Sequence, residues 1–154
     1  MTSMFDPNIL LDATLAEPTE KRPPLPVGDY TAIIGEVTAG TWQSAKDATK
    51  SGVKWNVPLE LQVPADIQQQ LGIELPTLKL TDSIMLDLTP QGGLDNSIGK
   101  NGRLRMYREA LDMNKPGDVF GARKMQGQVV LVRITHREYQ GQLLEDVSKV
   151  AAPV

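Results

Sequence analysis

Five strand-like runs and one well-patterned helix, lodged between the third and fourth runs, predict a mainly β chain. The runs are residues 27–38, 53–63, 78–89, 128–138 and 142–150, and the helix is 102–112. Strict alternation in the second and fourth runs marks strands with one face buried and one wet, the antiparallel pattern. Together these observations predict an OB-like five-stranded antiparallel barrel, partly open, with its helix between strands three and four. Residues 1–26 read as an extended N-terminal arm, and residues 27–154 as the barrel domain.

In the arm, Asp6-Pro7 opens a short helix, with Asp as N-cap and Pro at the first helical position. Two turns are too short to be stable alone. Phe5, Ile9, Leu10 and Leu15 are therefore expected to dock on the body, a neighbouring copy or another protein. Four prolines, Pro18, Pro23, Pro24 and Pro26, then make an extended linker.

Strand one contains Gly35, which marks a bulge or bend. Residues 39–52 are polar and read as a long, mobile hairpin loop. In strand two, Val53, Trp55, Val57, Leu59, Leu61 and Val63 face one way and Lys54, Asn56, Glu60 and Gln62 the other. Pro58, in the middle, implies an edge position or a bulge. Residues 64–72 predict a short helix, and Pro90-Gln91-Gly92-Gly93 ends strand three. Leu104, Tyr107 and Leu111 form the apolar stripe of the main helix. Strand four turns Val130, Val132 and Ile134 inward, and Gln140-Gly141 makes the hairpin turn to strand five.

The 154 residues are enough for one domain with a real core, without metals or disulfides. The absence of cysteine excludes a disulfide framework and a thiolate metal site. The one histidine, His136, falls on the side of Ile134 and reads as structural. No residue set has the spacing of a catalytic relay or metal loop, so neither enzyme activity nor a cofactor is expected. No apolar run approaches the roughly 20 residues of a membrane span, and no signal peptide is evident. A soluble, cytoplasmic chain is expected.

The net charge of −3 hides an asymmetry. Residues 99–137 carry nine basic side chains against three acidic ones, a net of +6, which leaves −9 elsewhere. Such a division suggests an anionic partner on one side. Arg133, Thr135, Arg137 and Tyr139 share one parity on the fourth strand, offering cations for phosphates and an aromatic for a base. Trp42 is the other stacking candidate, whereas Trp55 reads as core. Lys54, Lys100 and Arg103 complete the cationic set, the last two beside helix-start amides that could hold a phosphate. The glycine-rich stretch before them lacks the spacing of a nucleotide-binding P-loop.

Several segments resemble small bacteriophage proteins related to OB-fold single-stranded-DNA-binding proteins. They are Pro26-Val27-Gly28-Asp29-Tyr30, Ser51-Gly52-Val53-Lys54-Trp55, Leu86-Asp87-Leu88-Thr89, the helix from Arg103-Leu104 to Ala110-Leu111, and Gly127-Gln128-Val129-Val130-Leu131-Val132. The likeness spans roughly residues 26–152, excludes the arm and lacks the acidic C-terminal tip common among such proteins. It implies a non-enzymatic protein that coats single-stranded DNA during phage replication or recombination, in the cytoplasm of the infected host. The arm would then join a homo-oligomer or another phage protein. The rival expectation is a virion subunit, a capsid decoration or cement protein tethered by its arm; a replication adaptor is a third. Arginines locked against acidic neighbours would favour the scaffolding role.

Overall fold

A computed structural model describes residues 6–154. Six antiparallel strands form one sheet: β1 (Gly28–Ile34), β2 (Thr38–Gln43), β3 (Ser51–Gln62), β4 (Thr77–Met85), β5 (Val129–Tyr139) and β6 (Gln142–Ala151). Two helices accompany them, α1 (Ala65–Leu71) and α2 (Gly102–Ala110). The strand order is β2-β3-β1-β5-β6, with β4 on the other side of β3. The fold is mainly β, as the alternation implies.

The first expected strand is two. At Gly35 the chain turns from β1, which pairs with β3 and β5, into β2, which pairs with β3 alone. A Cβ on Gly35 would lie 3.2 Å from Pro58 Cγ, so glycine suits this close approach. The Gly35 N–H donates to Pro58 O at 2.9 Å. In an antiparallel ladder a residue's N–H and C=O point to the same side. The N–H that Pro58 lacks would therefore face the bend, where neither β1 nor β2 requires it. The proline is thus tolerated inside the sheet, opposite Thr81 of β4 and not at an edge, where the register of β3 with its other neighbour shifts by one residue between β1 and β2.

Residues 39–43, expected within a mobile loop, are strand because the loop beyond them is short and tightly bonded. The Asp47 carboxylate accepts from Thr49 N–H and Oγ1, Ser44 N–H donates to Lys50 O, and Gln43 Nε2 donates to Ala48 O. Those Thr49 bonds hold the Asp47 carboxyl below the usual carboxylate range. At the other hairpin, Gln140 and Gly141 both have positive φ, the two-residue turn expected there.

Inward side chains of the strands meet in one core: Tyr30, Ala32 and Ile34 of β1, Val57, Leu59 and Leu61 of β3, and Val130, Val132 and Ile134 of β5, all buried. Helix α2 adds Leu104, Tyr107 and Ala110. It also fills the gap between β4 and β6, which do not pair. Arg103 donates from Nε and Nη2 to both Asp82 oxygens (3.0 and 2.8 Å) on β4, and from Nη2 to Val147 O (2.7 Å) on β6. Tyr107 Oη donates to Asp82 Oδ2 at 2.6 Å. Burial, reinforced by the Asp82 charge, pushes the Tyr107 phenol far above its ordinary range, so it stays a donor.

The end of the arm packs on β5 and β6. Leu25 is fully buried; its N–H donates to Glu145 (2.9 Å) and its carbonyl lies 2.6 Å from His136 Nε2. Arg22 forms an ion pair with Glu145, and Tyr30 Oη donates to Pro26 O. His136 is therefore a half-buried structural residue that seats this strap. Among the described residues no helix is long and apolar enough to cross a membrane.

Asp82→Ala is expected to leave Arg103 and Tyr107 without their shared acceptor and to cost about 2–4 kcal/mol. Urea denaturation of the variant, compared with Tyr107→Phe at about 1 kcal/mol, checks it; equal losses would contradict the shared-acceptor role.

Candidate nucleic-acid interface

The residues expected at the interface fall into three groups. Register sets Trp42 opposite Gly52 and Lys54 opposite Gly40, so both side chains share the outward face of β2 and β3. Asn56, Ser83 and Met85 continue that face onto β4. A Cβ on Gly52 would lie 2.7 Å from Trp42 Nε1 and 2.9 Å from Cζ2, which shows the indole lying flat over this glycine. A Cβ on Gly40 would meet Lys54 Cε at 3.5 Å, so the lysine stem lies along the second glycine. Two glycines thus let an aromatic ring and a cation lie side by side on a strand surface.

The ring position has a cost. Trp42 Nε1 is buried with no hydrogen-bond partner among the described residues. A buried donor left unsatisfied costs about 1–3 kcal/mol, so the position of this N–H calls for an explanation. Trp42 is half-buried as a whole, so part of the residue stays accessible on the outward face. Lys46 and Lys50 follow in the adjoining loop, both exposed. Among the described residues no ion pair holds Lys46, Lys50, Lys54 or Lys100. Trp55 points inward at the other parity and packs against the core.

The second group is the outward row of β5. Arg133 bonds Asp29 on β1 through Nε (2.9 Å) and Nη2 (3.2 Å). Arg137 bonds Asp146 on β6 at 3.0 Å. The hydrogen bond from Arg133 is the main reason the Asp29 carboxyl sits below the usual range, so at neutral pH this pair is fully charged on both sides. Both arginines remain half-exposed, and exposed pairs of this kind add little stability. Tyr139, 56% exposed, ends the row at the hairpin.

The third group lies at the start of α2 and takes a structural role that the sequence conceals. Arg103 is committed to Asp82 and Val147, not to solvent. Asn101 is 8% exposed, with φ at +50°, and exchanges backbone and side-chain hydrogen bonds with Asp87. Its N–H donates to Asp87 Oδ2, its Oδ1 accepts from Asp87 N–H, and its Nδ2 reaches Asp87 O and Asp95 O. That amide is thus occupied by a carboxylate rather than offered to a phosphate; Lys100 alone of this group stays free and exposed.

In the arm, Ile9 and Leu10 are 68% and 65% exposed and Leu15 is 83% exposed, so they do not pack on this body. The expected helix is a single 3-10 turn, Ile9–Asp12, with Asp6 accepting from Asn8 N–H. Phe5 lies outside the described residues. Among those residues no group of three His, Asp or Glu side chains is placed to hold a metal ion. Compared with known proteins, no family model matches the sequence, and neither does any curated protein.

Gly52→Ala is expected to lift the indole off β3 and expose it. With both tryptophans labelled with 5-fluorotryptophan, the Trp42 fluorine resonance moves while that of Trp55 stays. An unmoved Trp42 resonance would contradict the cradle.

Proposed function

We propose that this chain is an OB-like single-strand-binding protein of phage origin, non-enzymatic and tolerant of sequence, acting in DNA replication or recombination within the infected host cell. The observation that carries this reading is Trp42, laid flat on the outward sheet face beside Lys54 at the expense of an unsatisfied N–H. An aromatic ring on the outward sheet face with an unpaired cation beside it supplies the groups that base stacking and phosphate contact use. The topology supports the OB-like class. With β1 and β2 taken as one bent strand there are five, and the first pairs with both β3 and β5. The helix falls between β4 and β5 and spans the remaining gap.

In this reading Trp42 stacks a base while Lys54, Lys46 and Lys50 meet phosphates. Arg133, Arg137 and Tyr139 form a secondary contact, reached by exchanging Asp29 and Asp146 for phosphate. Arg103 takes no part. The paired arginines and the exposed apolar arm together support a second reading, a virion decoration or cement subunit tethered through Ile9, Leu10 and Leu15. Copurification with particles rather than with DNA distinguishes it.

Fluorescence anisotropy with single-stranded oligonucleotides is expected to show binding that weakens as salt rises. Trp42→Ala costs about 1–3 kcal/mol of affinity, while Trp42→Phe keeps most of it. Lys54→Ala lowers the salt slope by about 0.7. Asp29→Asn, which releases Arg133, tightens binding and steepens that slope. No binding at low salt, or binding indifferent to Trp42, would remove the proposal.

A further inference from the structure

We infer that β2 is a self-pairing edge. Two copies of the chain join antiparallel through residues 39–43, and the outward face that carries Trp42 and Lys54 continues across the junction. The pairing itself rests on the edge geometry; its use for one shared nucleic-acid groove rests on the function proposed above.

The free edge can be read from the ladder. β2 bonds to β3 alone. The bond from Ser44 N–H to Lys50 O extends the register in which Gly40 faces Lys54 and Trp42 faces Gly52. Even-numbered residues of β2 therefore turn their backbone groups toward β3. The N–H and C=O groups of Ala39, Thr41 and Gln43 point away from it, with no strand among the described residues to receive them.

Natural edge strands are blunted by charge, proline, a bulge or a covering element. Residues 38–43, Thr-Ala-Gly-Thr-Trp-Gln, contain no charge and no proline, and their pairing with β3 runs without a register shift. The Trp42 ring leans over Gly52, away from the open side, so it does not cover the edge. The gap between β4 and β6 is treated in the opposite way, covered by α2 and tied by Arg103. The molecule protects one pair of edges and leaves β2 bare.

A second copy is the occupant because the edge is its own complement. A two-fold axis through Thr41 sets Thr41 opposite Thr41 of the second copy, Ala39 opposite Gln43, and Gly40 opposite Trp42. Every outward N–H then meets a C=O, a threonine pair sits at the centre, and no like charges meet within the strand. Directly opposed residues of an antiparallel pair point to the same face, so both Trp42 rings and both Lys54 side chains line one surface. Edge pairing alone buries well under the roughly 1,200 Å² of a stable interface. The dimer is accordingly weak when free and is reinforced when one oligonucleotide spans both copies.

The chain has no cysteine, so Thr41→Cys introduces a single one. Opposed residues in a hydrogen-bonded pair have Cα atoms about 5.5 Å apart, within disulfide range at about 4.4–6.8 Å. Mild oxidation of the full-length Thr41→Cys chain is expected to give a covalent dimer faster than Thr77→Cys, an exposed control on β4. In sedimentation velocity the wild type passes from monomer to dimer with rising concentration, and oligothymidylate long enough to span two copies raises the dimer fraction. Thr41→Pro, which removes only an outward N–H, stays monomeric with an unchanged circular-dichroism spectrum. Should that variant misfold, Thr41→Lys gives the same readout by placing a charge on the edge. Cross-linking no faster than the control, or dimerisation of the folded edge variant equal to wild type, overturns the inference. Cross-linking at position 41 without oligonucleotide binding leaves the edge pairing standing and removes the nucleic-acid reading. Oligonucleotide binding by a chain that stays monomeric does the reverse.

Discussion

The carboxylate of Asp82 is the point at which the two ends of the sheet are held together. β4 and β6 do not pair, so an open sheet of this length would leave their edges and the core beneath them exposed to water. Arg103 spans that gap with a bidentate grip on Asp82 and a third bond to the backbone of β6, and Tyr107 completes the acceptor from the buried side of α2. With the helix seated, Leu104 and Ala110 reach the core that the strands build from the other side. Positioning α2 in turn depends on Asn101, whose exchange of hydrogen bonds with Asp87 folds the glycine-rich approach into a defined connection.

Local neutralisation shapes the rest of the surface. The excess of basic residues between positions 99 and 137 does not become an open cationic face, because Asp29, Asp82 and Asp146, all outside that segment, meet Arg133, Arg103 and Arg137 in space. Among the described residues Arg123 and several lysines are left without an ion pair, and three of those lysines lie with Trp42 around β2, β3 and the loop between. The arginine row is therefore charge-paired on the sheet surface, whereas Lys54 lies beside Trp42 without an ion pair among the described residues. The same face adjoins the bare edge, so stacking and self-association would draw on one small region of the sheet.

The arm divides in two. Its last residues are structural: Leu25 is buried, and Glu145, His136 and Tyr30 hold the backbone on either side of it. Ahead of them, Ile9, Leu10, Leu11 and Leu15 stand exposed on a stretch whose charged side chains, Asp6, Asp12, Glu17 and Glu20, are all acidic.

Much of this was legible in the amino-acid order. The alternation at 53–63 and 128–138, the bend at Gly35, the short helix after Pro64, the apolar stripe of α2 and the turn at Gln140-Gly141 all follow from local periodicity and turn chemistry, which act over a few residues. The burial of Trp55 and the lateral position of His136 follow from parity in the same way. Other features depend on which strands lie side by side and in what register, a property of the assembled sheet. Asp29 reaches Arg133 across 104 positions of sequence, Gly52 becomes the bed of Trp42 only once β2 and β3 are aligned, and Pro58 is acceptable only where the neighbouring strand bends away. The sequence by itself therefore determined the elements and the inward or outward sense of their side chains. Only the tertiary structure decided which charges cancel and which ring lies over a glycine on the outward face, because ion pairing and steric room are set by neighbours in space.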